Sequence, residues 1–191
     1  DREVVGNIFP KVTGGFSSTL SWKGISLYAR FDYALGHTLY NDLAARTLGQ
    51  YQGAFNIITE VKDMWSEDNP NSDLPAFYYA DQLAKKNITR SNNASASRHN
   101  NSSRLYEKAD YLALRELTLS WDLPKAWTSK AFIQNASVYV TGQNLFYVTG
   151  YTGTSPEPVL TNSDNNENLY GVDQGRYPTP RTVLFGLSVT F

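Results

Sequence analysis

Residues 182–191, TVLFGLSVTF, decide the fold, because their side chains alternate strictly between two sets. Side chains along a β-strand point alternately to opposite faces, so each set occupies one face. One face is apolar and comprises Val183, Phe185, Leu187, Val189 and Phe191. The other face is mainly small or hydroxyl-bearing. An unpaired apolar strand favours aggregation in water, whereas an outer-membrane β-barrel ends on such a strand and places it against lipid.

Composition restricts the classes of function open to the chain. Its 191 residues carry a formal net charge of −1 and a pI near 6.1, which argues against nucleic acid, whose binding needs a concentrated positive field. The absence of cysteine excludes disulfides and thiolate chemistry. No apolar stretch approaches the roughly 18 residues of a transmembrane helix. The mean hydropathy of −0.43 is still compatible with a barrel, whose lumen side and loops are polar.

A β-hairpin signal lies near the start of the chain. Strands at about 14–22 and 25–36 flank the dipeptide Lys23-Gly24, whose glycine supplies the positive φ of a tight turn. At about 3.3 Å per residue and a tilt of roughly 45°, residues 25–35 rise about 23 Å, close to the ~25 Å apolar band of a barrel. A long strand of a β-sandwich remains the alternative.

Three further strands are predicted at about 105–121, 136–149 and 181–191. The apolar register changes within 105–121, which predicts a β-bulge near Arg115 and Glu116. Loops span about 37–104 and 150–180. The first loop lacks strand signals and carries one or two short helices within 41–65, broken near Gly49 or Gly53.

The connections alternate between short turns and long loops, an asymmetry typical of outer-membrane barrels with short periplasmic turns and long extracellular loops. Aromatic residues cluster at both predicted ends of the strands and are therefore candidates for the membrane interfaces. These candidates are Trp22, Trp121, Trp127, Tyr147 and Tyr151. The fold class is therefore all-β, a transmembrane antiparallel β-barrel represented in part.

About five strands cannot close a barrel, since single-chain bacterial barrels have at least about 8. The chain also starts at Asp1 without a methionine or a signal peptide. We therefore expect residues 1–191 to be the C-terminal part of one barrel domain whose other strands precede Asp1.

Polar side chains on the predicted lumen face are candidates for contact with substrate or with a plug. They are Tyr28, Arg30, Asp32 and Glu116. The alternative is that they only satisfy one another and water within the wall.

An enzyme is not expected. The two histidines, His37 and His99, fall in the first long loop, and neither has a nucleophile motif or a metal-spaced partner beside it. We expect no catalytic residue, no cofactor and no metal site.

Five motifs occur in a characteristic order. They are DREVVGNIFPKVTGGFSSTLSWKGISL (1–27), MWSEDNPNSDLP (64–75), ADYLALRELTLSWDLPKAW (109–127), VYVTGQNLFYVTGYTGTSPE (138–157) and GRYPTPRTVLFGLSVTF (175–191). With these motifs the chain resembles the C-terminal end of SusC/RagA-type TonB-dependent outer-membrane transporters of Bacteroidetes. Trp121 stands where tyrosine is usual in that family.

The resemblance implies a barrel of about 22 strands, of which this segment supplies the last five or so. It also implies an N-terminal plug, a TonB-contacting segment outside residues 1–191 and a SusD-like surface lipoprotein over the extracellular mouth. The implied function is TonB-dependent import of oligosaccharides or peptides across the outer membrane. The terminal strand that ends at Phe191 is expected to serve also as the signal read by the barrel-assembly machinery.

Two other functions stay open at this point. A secreted β-sandwich carbohydrate-binding module also fits the aromatic content of 14%. A passive barrel channel fits the strand pattern, but an upstream plug would exclude it. Detergent requirement separates the binding module from both barrels.

Overall fold

The computed structural model describes residues 3–48, 56, 58–74, 103–157, 170–175 and 177–191. The chain divides into two compact units. We call them the sheet unit (Pro10–His37, Ala109–Gly150 and Tyr177–Phe191) and the loop unit (Asp1–Phe9, Thr38–Lys108 and Tyr151–Arg176).

The strands of the described residues are β1 (Val12–Trp22), β2 (Ile25–Leu35), β3 (Thr38–Asn41), β4 (Tyr106–Lys108), β5 (Tyr111–Asp122), β6 (Asn135–Thr149), β7 (Val172–Asp173) and β8 (Thr182–Thr190). Among these, five antiparallel strands of the sheet unit form the large sheet, in the order β1-β2-β5-β6-β8. The loop unit contains the small sheet, in the order β4-β3-β7. The described residues thus agree with the all-β class expected from the sequence.

The first two strands of the large sheet form the hairpin that the sequence predicts. Lys23 and Gly24 both have positive φ, 47° and 83°, which is the geometry of a two-residue turn that matches the twist of the flanking strands. Trp22 pairs with Ile25 next to this turn, and the pairing continues without a break to the opposite end of β1 and β2.

A bulge interrupts β5 where the sequence predicts it. The register of β2 against β5 shifts between Arg30 and Phe31, so that Arg115 is the extra residue of β5 at the bulge. The register of β5 against β6 shifts at the same place. On β6, Asn144 adopts a φ of 52°, a left-handed conformation that asparagine tolerates better than most residues.

Between Gln143 and Phe146, which pair with Glu116 and Leu114, β6 has two residues where β5 has one, so β6 also bulges. This bulge explains a glycine. A Cβ atom built on Gly142 would lie 2.8 Å from a methyl group of Leu145. The leucine side chain therefore occupies the space that a side chain at position 142 would need. The Gly-Gln-Asn-Leu-Phe motif therefore combines a glycine that accommodates Leu145 with an asparagine that permits the bulge.

The two faces of the large sheet differ in chemistry. Residues directly opposite each other on neighbouring strands share a face, so the register assigns each side chain. The apolar face exposes Phe16, Leu20, Trp22, Ile25, Leu27, Leu35, Leu119, Trp121, Val138, Phe146, Val148, Val183, Phe185 and Leu187. The polar face carries Ser17, Thr19, Ser21, Ser26, Tyr28, Arg30, Asp32, Glu116, Thr118, Ser120, Thr141, Gln143, Ser188 and Thr190.

One predicted strand was too long. Instead of a single strand at 105–121, the structure has a 3-10 turn (Ser103–Leu105), then β4, and then β5 from Tyr111. The interruption has a local cause. The Ala109 amide donates to the His37 carbonyl at 3.1 Å, and the Asp110 carboxylate accepts from the Gly36 amide at 2.6 Å. Ala109 and Asp110 therefore hydrogen-bond to the residues that connect β2 to β3, and the strand is interrupted there. The strands predicted at 14–22, 25–36, 136–149 and 181–191 occur as β1, β2, β6 and β8, with shifted ends.

The first long loop is not free of strands, contrary to the sequence prediction. β3 pairs antiparallel with β4 and parallel with β7. A short helix, α1 (Asp42–Thr47), follows β3, and the Asn41 side chain caps it by accepting from the Ala44 amide at 2.9 Å. A 3-10 helix spans Thr59–Asp63. The predicted breaks at Gly49 and Gly53 lie outside the described residues.

The connection between β5 and β6 contains helix α2 (Lys125–Thr128) and a 3-10 turn (Ser129–Ala131). Hydrogen bonds hold its two ends. The Leu123 amide donates to the Ala136 carbonyl and the Gln134 amide donates to the Thr190 carbonyl, both at 2.8 Å. Among the described residues, no helix has the length and apolar character needed to cross a membrane.

Candidate functional site: the charged patch of the polar face

The bulge in β5 changes which side chains reach the polar face. In a regular strand Arg115 and Glu116 would point to opposite faces, but the extra residue lets consecutive side chains share one face. Glu116 pairs across the sheet with Arg30, and Arg115 contacts Asp32, so all four lie on the polar face. We call these four residues the charged patch.

Arg115 is the best-held member of the charged patch. Its guanidinium binds both carboxylate oxygens of Asp32, through Nε and, at 2.9 Å, through Nη2. Nη1 donates to the Tyr147 hydroxyl at 2.8 Å. The guanidinium also lies 5.4 Å from the centre of the Tyr147 ring. Such a two-pronged arginine–carboxylate pair is stronger and more directional than a single contact.

The second ion pair is looser. Arg30 Nη2 lies 3.7 Å from Glu116 Oε2, and the Arg30 side chain is 55% exposed, whereas that of Arg115 is 19% exposed. The Thr118 hydroxyl donates to Glu116 Oε1 at 3.3 Å. Two arginines and two carboxylates leave the charged patch with no net formal charge, but the Arg30–Glu116 pair is open to an incoming group.

The four candidate lumen residues from the sequence lie on one face. Tyr28 stands opposite Thr19 and Thr118 on the polar face, and the other three belong to the charged patch. Sequence reasoning missed Arg115. The register change that predicts the bulge is the signal that would have found it, because a bulge at Arg115 turns two consecutive side chains to one side.

The candidate assembly signal lies on an edge strand. Val183, Phe185 and Leu187 of β8 belong to the apolar face and are 58%, 83% and 66% exposed, and Val189 continues their set. Phe191 follows directly after β8 and is also exposed. The geometry groups these side chains on one surface, and their role as a signal stays a prediction.

The three candidate tryptophans lie together at the end of the large sheet that carries the Lys23-Gly24 turn. Trp22 and Trp121 are both cross-strand neighbours of Ile25 on the apolar face. Trp127, in α2, stacks edge-on against Trp121 with ring centres 5.9 Å apart. All three are exposed, and their contact with a membrane interface stays a prediction.

Two candidate interfacial aromatics are placed differently from the expectation. Tyr147 lies on the polar face, where its hydroxyl accepts from Arg115, because the bulge in β6 sets its register against Ala113. Tyr151 is 7% exposed, and its hydroxyl donates to Asp173 at 2.9 Å. A side chain buried in this way does not reach lipid, so the expectation for Tyr151 was wrong.

Asp173 organises the loop unit. Its carboxylate accepts from the Tyr151 hydroxyl, from the Thr154 amide and hydroxyl at 2.9 and 2.7 Å, and from the Gly175 amide at 3.0 Å. Burial opposes ionisation of Asp173, but these donors outweigh it and lower the pKa. Burial, together with the Asp173 charge, raises the pKa of Tyr151 well above its ordinary value.

Glu107 of β4 holds the same segment from a second strand. Its carboxylate accepts from the Thr152 amide at 2.9 Å, from the Thr152 hydroxyl, and from the Asn41 side-chain amide at 2.9 Å. Residues 151–154 are thus bound by two carboxylates from different strands. In the part of the chain that the structure describes, no group of three or more His, Cys, Asp or Glu residues is arranged to hold a metal ion.

Comparison with known proteins gives a consistent set of relatives. No protein-family profile matches the chain. TonB-dependent receptors P3 and P26 of Formosa agariphila are 31% and 30% identical over the whole chain. The chain spans only 17% and 18% of their lengths.

Solved structures agree with these relatives. The structure of the RagAB peptide transporter matches 98% of the chain with 28% identity and a TM-score of 0.72, over 18% of its own chain. The RagAB peptide importer in the open-open state matches with a TM-score of 0.66. The motifs, the fold and these relatives agree: the chain belongs to the SusC/RagA family of TonB-dependent outer-membrane transporters, and it corresponds to a C-terminal segment of such a protein.

Proposed function

We propose that the large sheet is a section of the wall of a closed barrel of about 22 strands, with its apolar face toward lipid and its polar face toward the lumen. The observation that carries this proposal is the exposure of the apolar face. Phe185 is 83% exposed and Leu20 66% exposed, although both lie in long, paired strands of the sheet. Lipid is the solvent in which such a face is stable.

The same observation argues against a carbohydrate-binding sandwich. A sandwich buries the apolar face of each sheet against the other, whereas the apolar face of the large sheet is exposed along all its strands. The relatives are receptors and transporters, and we propose a role in transport without catalysis.

The whole protein is proposed to import oligosaccharides or peptides across the outer membrane with energy delivered through TonB. Likeness to a peptide transporter favours peptides. The proposed partners are the N-terminal remainder of the barrel with its plug, a SusD-like surface lipoprotein, TonB acting on the N-terminal part, and the barrel-assembly machinery. The long loops of residues 37–104 and 150–180 are proposed to face the outside of the cell.

The charged patch is proposed to line the lumen. Arg115 and Asp32 are held mainly by each other and by Tyr147, so they stiffen the wall. Arg30 and Glu116 form the open pair, and they are the residues we expect to meet the plug or a passing substrate.

The test uses the full-length transporter in its own cells. Uptake of labelled peptides and of labelled oligosaccharides is measured with TonB present and with TonB deleted. We expect uptake of one class, abolished without TonB. Uptake that persists without TonB would establish a passive channel, and recovery of the native polypeptide in the soluble fraction would contradict the membrane assignment altogether.

A further inference from the structure

Two connections lie side by side at one end of the large sheet. They are the Lys23-Gly24 turn and residues 123–134, and the Asp122 amide donates to the Gly24 carbonyl between them at 2.8 Å. The charged residues of both connections are all lysines, namely Lys23, Lys125 and Lys130. Each of the three is exposed.

Phe132 in the second connection is unusual in two ways. It is 91% exposed, and it has a φ of 59°, in the left-handed region that disfavours a bulky side chain. Glycine is the ordinary residue at such a position, just after a helical turn. An apolar medium around the ring accounts for the exposure of a phenylalanine side chain at this position.

The neighbouring aromatics extend the same surface. Trp127 stacks on Trp121, which joins the connection to the apolar face, and Lys23 Nζ lies 4.7 Å above the Trp22 ring. Aromatic rings with lysines beside them match the boundary between acyl chains and phosphate groups, since rings favour that boundary and ammonium groups pair with phosphates.

We propose that Trp22, Lys23, Trp121, Trp127 and Phe132 form a lipid anchor. In it, the rings of the β5–β6 connection enter the phospholipid leaflet at the short-turn end and the lysines contact lipid phosphates. The proposal rests on the barrel wall proposed above and extends it to a connection that lies beyond the ends of the strands. Insertion to roughly 5–10 Å below the phosphates is expected for such an apolar surface.

The experiment places one bimane label on the full-length transporter in nanodiscs of phosphatidylethanolamine and phosphatidylglycerol. Cysteines elsewhere in the full-length protein are first replaced, since residues 1–191 contain none. Labels at Phe132→Cys, Tyr177→Cys and Phe185→Cys are compared, because Tyr177 is as exposed as Phe132 but precedes the other end of β8, and Phe185 is on the apolar face. Brominated lipid and aqueous acrylamide are the quenchers.

We expect the label at Phe132 to be quenched by brominated lipid to the extent seen at Phe185, and to resist acrylamide far better than the label at Tyr177. A label at Phe132 open to acrylamide while that at Phe185 is in lipid would overturn the anchor alone. Both labels open to acrylamide would overturn the barrel wall itself. Shielding from both quenchers would mean a protein partner and would also overturn the anchor. If Phe132→Cys fails to assemble, Trp127→Cys gives the same comparison.

Discussion

Different interactions stabilise the sheet unit and the loop unit, each within itself. In the sheet unit, strand pairing runs along five strands, and the alternation of side chains gives each strand its position. In the loop unit, the strands are short, and the buried Asp173 and the partly buried Glu107 bind residues 151–154 through side-chain hydrogen bonds. The structure of the sheet unit depends on the alternation of apolar and polar side chains. The structure of the loop unit depends on a few polar contacts between residues distant in sequence.

The difference teaches where single residues matter. A long antiparallel sheet shares its stability among many equivalent pairs, so that most single changes have small effects. A unit organised around one buried carboxylate leaves several donors without partners when that carboxylate is removed, and the effect is large.

Replacing Asp173 with alanine should have the largest effect and should be confined to the loop unit. Four hydrogen bonds lose their acceptor, and we expect a loss of about 3 kcal/mol in local stability, which is roughly a 100-fold faster hydrogen exchange. The measurement is exchange in β3 and α1 of the full-length protein. Asp68→Ala, at an exposed turn, is the control. Equal protection in both variants would contradict this account of the loop unit.

Replacing Gly186 with alanine should give the largest single-residue effect in the large sheet. A Cβ atom there would lie 2.0 Å from the Tyr139 ring, which covers this glycine on the neighbouring strand. Because the ring must move, we expect a loss of about 2 kcal/mol, measured as denaturant resistance of the barrel in detergent. Gly150→Ala, which meets nothing within 4 Å, should be close to neutral.

A smaller effect is expected from conservative changes in the charged patch. Arg115→Lys removes the two-pronged contact with Asp32 and should cost about 1 kcal/mol. Arg30→Lys, at the more exposed pair, should change stability by well under about 1 kcal/mol. Thermal unfolding of the two variants in parallel checks the order. If Arg30→Lys proved the more damaging, the assignment of Arg115 as the holding residue would be wrong.

The smallest expected effect is a pH dependence of stability that is confined to the loop unit. Asp173 has a lowered pKa, so its contribution is present above the ordinary value of 3.8 and is lost as pH falls below it. Tyr151 has a raised pKa, so its contribution is present below 10.0 and is lost as pH rises beyond it. Local opening of the loop unit, corrected for intrinsic exchange, should be slowest between these limits. Tyr151→Phe should reduce the alkaline change, to which the raised pKa of Tyr106 also contributes. It should weaken the acid change only in part, because the Thr154 and Gly175 donors to Asp173 remain.

The sequence predicts the sheet unit well for a physical reason. A strand between lipid and a polar lumen needs strict alternation, so residues 25–35 and 182–191 reveal both strand and face. The same reasoning predicts the bulge at Arg115. It does not reveal the small sheet, because β3, β4 and β7 span two to four residues each and depend on pairing between distant segments.

The candidate site residues also divide into those that local sequence patterns predict and those that depend on distant contacts. Tyr28, Arg30, Asp32 and Glu116 could be predicted as one face. The first three alternate regularly along β2, and Glu116 follows the predicted bulge and pairs with Arg30. Tyr151 could not be placed, because position along the chain suggests an interface, whereas the buried Asp173 binds its hydroxyl. A partner that lies 22 residues away leaves no local pattern in the sequence.

The central claim is that the two faces of the large sheet meet different solvents, and two adjacent residues of β8 test it most directly. Phe185 lies on the apolar face and Leu184, although apolar, lies on the polar face opposite Thr141. A spin label is placed at each position in the full-length transporter in native outer membranes, and its collision with oxygen and with a water-soluble nickel complex is measured. We predict that the label at Phe185 meets oxygen in lipid and that the label at Leu184 meets nickel in water. Nickel access at Phe185, or lipid exposure at Leu184, would contradict the account.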